Sequence, residues 1–251
     1  MGRGVTVISM RRVLLLWTCI ALAACGDNDG SSAPRQLTQD EASRLAEAAF
    51  LNHRSGGSAF EVTTLSAVGG QRLTLSGVVD WSHNRGVAGV EVADGGSTLV
   101  AVAWEQNVVA ERRPAAGEAL VREGLPSSSW LGRIADQRRR IDQVIAVVTG
   151  LATKRPENAV LIRQEEGSSF MRNDTLRGTA VEVLRYGQRS IFWIDVATGR
   201  MLRFEGNDAE GTLPIIVGFL PRITTAITPP GPEDVVPISS YPDLASLFTG
   251  P

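Results

Sequence analysis

Alternation of apolar and polar residues is the feature of this 251-residue chain that most restricts its fold. Between residues 73 and 81 the odd positions are mostly apolar (Leu73, Leu75, Val79, Trp81) and several even positions are polar (Thr74, Ser76, Asp80). A period of two predicts a half-buried β-strand. The pattern indicates further strands at 60–64, 87–92 and 97–104. Because a parallel pair would need a crossover of a dozen or more residues, short connections predict an antiparallel meander.

The segment before these strands has a helical period. Thr38 and Glu41 form a capping box, in which each side chain satisfies a free backbone donor at the start of a helix. Gly56 and Gly57 end the pattern. The apolar stripe between these signals contains Ala42, Leu45, Ala46, Ala49 and Phe50. This spacing predicts one amphipathic helix that packs on a core.

A second helical pattern occupies the middle of the chain. Apolar residues recur at helical intervals from Ile134 to Leu151, and the run Arg138-Arg139-Arg140 falls on the opposite side. This predicts an amphipathic helix of several turns. Pro156 can open a short helix through residues 160–162, since proline is tolerated at the first helical position. We expect these helices to cross one face of the sheet.

Strand patterns return in the last third of the chain. They lie at 168–172, 179–186, 190–196, 200–205 and 213–220. The pair 190–196 and 200–205 reads as a hairpin with apolar residues on both faces, which is typical of strands covered on both sides. The proline-containing end that follows is expected to be irregular surface chain.

The N-terminus carries a processing signal. Arg11 and Arg12 precede an apolar stretch that closes with Leu22-Ala23-Ala24-Cys25. A charged start, an apolar segment and small residues at the end define a secretory signal, and the four closing residues form a lipobox. Cys25 would then become the first residue of the mature chain and carry a diacylglyceryl group with palmitate-type chains, because stable anchoring takes two hydrophobic signals. The alternative is a plain secretory signal with a chance cysteine.

These patterns predict four segments. Residues 1–24 are a signal peptide, 25–36 a lipidated flexible tether, 37–238 a single α+β domain, and 239–251 a C-terminal tail. The protein is expected on the extracytoplasmic face of the cell membrane. Translation can start at Met1 or at Met10, since either leaves an intact signal.

Composition excludes several classes of function. With 25 Lys+Arg and 27 Asp+Glu, loss of Arg3, Arg11 and Arg12 leaves 22 basic against 27 acidic residues. A mature net charge of −5 argues against nucleic-acid binding. Cys19 is discarded with the signal, so no thiolate pair remains for a disulfide or metal. We therefore predict no cofactor, no metal site and no catalytic residue; the sequence leaves the oligomeric state open.

Two features have competing interpretations. His83 lies close to Asp80 and is read as a surface turn residue; an envelope hydrolase would need a buried polar constellation near His83 or Glu165. The run Arg138–Arg140 is read as the solvated face of a helix, with contact to anionic headgroups as the alternative.

The order of elements resembles secreted lipoproteins of actinobacteria and, more distantly, the LolA-like and LppX/LprG-like lipid-binding superfamily. The compact match is Trp193-Ile194-Asp195 with Gly199-Arg200. The resemblance implies a curved antiparallel sheet, a half-barrel, with helices packed on its concave face. It implies that the space between them holds a lipid or glycolipid.

The leading hypothesis is a non-enzymatic, membrane-anchored lipoprotein that binds or carries a lipidic ligand in a sheet–helix cavity. The alternative is an envelope protein-interaction module associated with a sensor, transporter or cell-wall component. The expected cavity residues are Leu75, Val79, Trp81, Ile141, Val148, Phe192 and Trp193.

Overall fold

A computed structural model describes residues 34–66, 69–92, 98–208, 211–220 and 229–246. The predicted signal peptide, the lipobox and Cys25 lie outside these residues. The strands are β1 (Gly57–Leu65), β2 (Arg72–Asp80), β3 (Arg85–Val92), β4 (Thr98–Glu105), β5 (Val108–Arg112), β6 (Trp130–Ile134), β7 (Ser169–Leu176), β8 (Thr179–Tyr186), β9 (Ser190–Asp195), β10 (Met201–Asn207), β11 (Pro214–Phe219) and β12 (Val235–Pro237). The helices are α1 (Gln39–Arg54), α2 (Gly117–Arg122), α3 (Arg140–Gly150), α4 (Ala159–Gln164) and α5 (Pro242–Ala245).

All the described strands belong to one sheet, in the order β12-β6-β5-β4-β3-β2-β1-β11-β10-β9-β8-β7. Two meanders, β1 to β6 and β7 to β11, meet where β1 pairs antiparallel with β11. Only the short β12–β6 pair is parallel among the described strands. The predicted fold class, an α+β protein with a curved antiparallel sheet and helices on its concave face, is confirmed.

The two faces of the sheet differ because side chains alternate along each strand. The inner face carries Phe60 and Val62 of β1, and α1, α3 and α4 pack on it to form the main core. The outer face carries Glu61 and Thr63 of the same strand, which are exposed and half-buried. No helix in the described part of the chain is long and apolar enough to cross a membrane.

The predicted capping box starts α1. The Glu41 backbone N–H donates to the Thr38 hydroxyl, and the Glu41 carboxylate accepts from the Thr38 backbone N–H at 2.8 Å. Arg35 also donates to both Glu41 oxygens, at 2.7 and 2.8 Å. The hydrogen bond from Arg35, joined by those from Thr38, outweighs desolvation and lowers the pKa of Glu41 to about 2. The Arg35–Glu41 pair, which we call the entry ion pair, therefore holds the segment before α1 against the first turn of the helix.

The start of the central helix differs from the prediction. Residues Trp130–Ile134 form β6, which pairs with β5, and α3 begins only at Arg140. Ile134 and Ile141 are seven residues apart, about two helical turns, so their spacing is compatible with one helix. The pairing of residues 131–134 with β5 makes this segment a strand instead. The chain turns between the two elements, where the Asp136 backbone N–H donates to the Asp142 carboxylate at 2.6 Å.

The run Arg138–Arg140 is not a single solvated face of a helix, which corrects the first interpretation of it. Arg138 is exposed and pairs with Asp136. The Arg140 side chain is 2% exposed and pairs with Asp208 at 3.3 Å. It also donates to the Thr64 hydroxyl and to the Pro214 carbonyl. Burial lowers the pKa of Arg140, against the attraction of Asp208. Arg140 thus connects α3 to the C-terminal end of β1 and the N-terminal end of β11.

A second buried charge network holds α3 to strands β5 and β6. Glu111, 1% exposed, accepts from Arg133 at 2.6 Å and pairs with Arg113 and Arg139. Arg133 also donates to Asp142 of α3 at 2.7 Å. Desolvation opposes the charge of Arg133, but its hydrogen bonds to the two carboxylates prevail and raise its pKa. Buried charges are tolerated when paired in this way.

The C-terminal end is more ordered than its proline content suggests. β12 adds a strand beside β6, and α5 places Leu244, 2% exposed, against Leu120 and Leu131. The described part of the predicted tail is therefore packed on the domain, because its apolar residues find a small core of their own.

Replacing Glu41 with Gln tests the entry ion pair. Glutamine keeps the cap acceptor but removes the charge, so the free energy of unfolding at pH 7 should fall by about 1–2 kcal/mol after allowing for the half-exposed Arg35. Because the folded pKa is lowered, this stabilisation is present above about pH 4.3 and is lost as pH falls toward 2. Urea unfolding from pH 7 to 2.5 measures it. Glu47→Gln, exposed on the same helix, is the control; a difference independent of pH would contradict the ion pair.

Replacing Arg140 with Ala tests the buried ion pair between Arg140 and Asp208. It leaves Asp208 without its buried partner, which should lower the free energy of unfolding by about 3 kcal/mol or more. Arg138→Ala, at an exposed side chain two residues earlier, should have no measurable effect. Denaturant unfolding of the two variants gives the comparison. Equal effects would show that the run acts as one surface.

Candidate functional site

Five of the seven predicted cavity residues lie together between the sheet and α3. Leu75, Val79, Trp81, Ile141 and Val148 belong to the main core and are each 7% exposed or less. The Trp81 indole N–H donates to the Val148 carbonyl at 3.1 Å. These side chains belong to one buried core, so they are covered from solvent where α3 packs on the sheet.

The other two predicted cavity residues are separated by the sheet. Phe192 packs at the margin of the main core, with its ring centroid 5.2 Å from that of Phe204. Trp193 lies on the opposite face, in a small cluster with Val181 and Val183. Adjacent strand residues point to opposite faces, so Phe192 and Trp193 do not line one cavity.

A cleft of about 380 Å³ opens on the outer face instead. Its floor is a row of residues across three strands, in which Glu61 of β1 lies opposite Gly218 of β11 and Gly218 opposite Arg203 of β10. Gly218 has no side chain, so a gap remains between Glu61 and Arg203. The cleft is lined by Glu61, Thr63, Thr64, Leu65, Arg72, Leu176, Arg177, Leu202, Arg203, Pro214, Ile216 and Gly218. We call it the outer cleft.

The β7–β8 turn forms one wall of the outer cleft. Arg177 and Gly178 both have positive φ, 52° and 81°, as a two-residue hairpin turn of the I′ type requires. Arginine is an unusual choice at such a position, since a side chain there is strained. Arg177 donates to the Phe219 carbonyl at 3.1 Å, and its guanidinium lies 3.4 Å from where a Cβ on Gly218 would stand. The strained turn thus places a cation over the glycine.

Two further arginines line the outer cleft. Arg203 pairs with Glu205 and has its Cζ 5.0 Å from the Trp193 ring centroid, while its buried Nε has no hydrogen-bond partner among the described residues. The Arg72 side chain is exposed and forms no ion pair or hydrogen bond with the described residues. With Glu61 as the one lining carboxylate, the cleft carries an excess of positive charge.

The remaining walls of the outer cleft are largely apolar. Leu65, Leu176, Leu202 and Ile216 are half-buried, so part of each side chain faces the opening. The volume falls within the range of small-molecule sites, about 300–1,000 Å³. Arginines pair well with carboxylates and phosphates, and the leucines can contact a hydrocarbon. The arrangement suits an amphiphile with an anionic head group.

A second, wider depression of about 620 Å³ lies on the outer face over β4 and β5. The C-terminal segment covers one side of it with Pro229 and Pro230. Beside it, the cross-strand partners Val108 and Ile134 are 43% and 70% exposed. Its apolar rim makes this depression a candidate contact surface.

Asp80, Ser82 and His83 come together in the turn after β2. His83 Nδ1 lies 2.8 Å from one Asp80 oxygen, and the Ser82 hydroxyl donates to the other at 2.8 Å. Burial acts to raise the pKa of Asp80, but the hydrogen bonds from Ser82 and His83 outweigh it and lower the pKa to about 2. The hydroxyl bonds the carboxylate and not the imidazole, so the group has the form of a capped turn. Glu165 is exposed.

Among the described residues, no three His, Cys, Asp or Glu side chains lie close enough together to hold a metal ion. The sequence pattern did not identify the outer cleft. Its residues are distant in the chain, and only strand pairing brings Glu61 beside Gly218. One signal was available: Arg177-Gly178 sits between two strand patterns, where Asn-Gly or Asp-Gly is the usual turn.

No protein-family model matches the sequence, and the comparison with curated proteins found no match. Solved structures of similar fold include LprF from Mycobacterium bovis, 10% identical, with 80% of this chain and 99% of that chain covered at a TM-score of 0.44. LppX from Mycobacterium tuberculosis is 10% identical, with 75% and 100% covered and a TM-score of 0.46. An outer membrane lipoprotein-sorting protein domain from Vibrio parahaemolyticus is 11% identical, with 76% and 95% covered and a TM-score of 0.32. Both kinds of protein named by the sequence resemblance are therefore among the similar structures.

Proposed function

We propose that this chain is an extracytoplasmic lipoprotein, held on the cell membrane by a diacylglyceryl group on Cys25, that binds a lipidic ligand without altering it chemically. The lipobox at Leu22–Cys25 supports the anchor. The observation that carries the binding function is the outer cleft, which combines apolar walls with Arg72, Arg177 and Arg203.

The ligand class follows from this lining. Several half-buried aliphatic side chains can contact a hydrocarbon chain, and the guanidinium groups favour a carboxylate or phosphate at one end. A ligand between sheet and helices, as the sequence suggested, would have to separate α3 from the sheet against Arg140 and the Trp81–Val148 hydrogen bond. The outer cleft is already open, so it is the better placed site.

The non-enzymatic part of the proposal is supported by the turn after β2. A Ser–His nucleophile requires the imidazole to accept the hydroxyl proton. Ser82 and His83 each bond Asp80 instead. A ligand carrier needs no such group, and the outer cleft holds a single lining carboxylate, Glu61.

Charge reversal at Arg72 tests the binding site. In the Cys25→Ser chain, we expect a fluorescent fatty acid to bind more tightly than the fatty alcohol of equal length. Arg72→Glu should weaken the acid about tenfold, which corresponds to about 1.4 kcal/mol, and leave the alcohol nearly unchanged. Arg122→Glu, exposed on α2, is the matched control. Fluorescence titration of the two ligands against the three chains measures all six affinities.

A filling variant separates shape from charge. Gly218→Val adds a side chain to the floor of the outer cleft, where its Cβ would meet the Arg177 guanidinium at ordinary contact distance. It should weaken acid and alcohol alike. Extraction of the purified chain should release an amphiphile that Gly218→Val no longer retains. If both variants bind as the natural chain does and nothing is extracted, the cleft is not a lipid site.

Mass spectrometry of the N-terminal peptide tests the anchor independently. A processed chain beginning at Cys25 with a diacylglyceryl mass is expected, and Cys25→Ser should abolish it. An unmodified Cys25 would remove the anchor while leaving the cleft measurements valid.

The alternative, an envelope protein-interaction module, is favoured by one observation, the exposed pair Val108 and Ile134 beside the depression over β4 and β5. If this surface is the functional one, cross-linking in intact cells should capture a partner protein with the natural chain. The Ile134→Ser chain should then give much less of that cross-linked product. Lipid extraction should then be unaffected.

A further inference from the structure

The short helix α4 presents two large apolar side chains to solvent. Val160 is 51% exposed and Leu161 is 62% exposed, while Ile162, next in the chain, is buried in the main core. Ile162 therefore holds the helix on the domain without using its neighbours. Contiguous exposed apolar surface marks contact sites, and these two adjacent side chains form a small surface of that kind.

Backbone hydrogen bonds place α4 beside the N-terminal part of α1. The Thr153 N–H donates to the Ala49 carbonyl, and the Glu157 N–H donates to the Ala46 carbonyl. The chain thus runs antiparallel to α1 as it enters α4, which packs on α1. Continuing in that direction leads toward the first turn of α1, near Thr38.

The same end of the domain is where the preceding chain leaves it. Arg35 and Phe170 exchange both backbone hydrogen bonds, at 3.0 and 2.8 Å. Phe170 follows α4 by only a few residues, so α4 and the exit of the N-terminal segment share one end of the molecule. The ten peptide units that join Cys25 to Arg35 span at most about 35 Å when fully extended. A lipid on Cys25 therefore keeps this end close to the bilayer.

The charges around α4 do not select an anionic surface. Exposed basic residues in the segment are Lys154, Arg155 and Arg163, and exposed acidic residues are Glu157, Glu165 and Glu166. Three of each sign leave the segment neutral. The apolar pair, not net charge, would drive contact with lipid.

We propose that α4 is a membrane-contact element: Val160 and Leu161 insert into the interface of the bilayer that anchors the chain. This rests on the proposed anchor and not on the outer cleft. The contact orients the domain, because a tether on Cys25 alone would leave the domain free to rotate. Apolar side chains at a membrane surface contribute by burial in the headgroup and acyl boundary.

Hydrogen exchange on vesicles tests the contact. The mature chain, which begins at Cys25 and has no other cysteine, is attached to phosphatidylcholine vesicles through Cys25. The attachment uses its own lipid where mass spectrometry finds one and coupling to a maleimide lipid where it does not. The amides of Ala159–Gln164 should exchange at least about threefold more slowly on vesicles than in the free chain. The amides of α2, Gly117–Arg122, should not change, although Val121 is 59% exposed.

Variants assign the effect to the apolar pair. Val160→Ser combined with Leu161→Ser should return α4 exchange on vesicles to the rate of the free chain, whereas Val121→Ser should leave the protection intact. All three side chains are exposed, so these variants are expected to fold. Equal α4 exchange with and without vesicles would overturn the membrane contact. An unmodified Cys25 would instead refute the proposed anchor, and the two results are read from separate measurements.

Discussion

The antiparallel pairing of β1 with β11 is the contact on which the rest of the structure depends. Thr63 lies opposite Ile216, about 150 residues later in the chain, and this pairing joins two meanders into one sheet. Closing so long a loop costs conformational entropy, which local contacts cannot recover. The apolar inner-face residues Val62 and Val217, both fully buried, supply the compensating burial where the halves meet.

Buried charges secure α3 across the same junction. Arg140 donates hydrogen bonds to Thr64 of β1 and to the carbonyl of Pro214 in β11. The ion pair between Arg133 and Asp142 holds the helix to β6. Replacing such pairs with apolar side chains often leaves stability unchanged. Their consequence here is positional, since directional bonds set where α3 lies on the sheet and keep its apolar side on the inner face.

The outer cleft is a product of the junction as well. Gly218 leaves a gap in a row of side chains, and the β7–β8 turn brings Arg177 over it. The proposed ligand site thus lies on the face opposite to the helices, and the proposed membrane contact lies at the end where the N-terminal segment leaves. The two surfaces rest on different residues, so each can be lost without the other.

Local patterns in the sequence determined the capping box of α1, the β-meander, the hairpin of β9 and β10 and the α+β class, because side-chain periodicity and caps act between near neighbours. They also carry the lipobox, a local motif. Strand parity also places Phe192 and Trp193 on opposite faces. Only the tertiary structure decided that residues 130–134 form a strand and that Arg140 is buried. It also decided where a cleft opens, since Glu61, Arg177 and Gly218 become neighbours only when distant strands pair. Periodicity shows which side of an element is apolar, but long-range pairing selects what covers it.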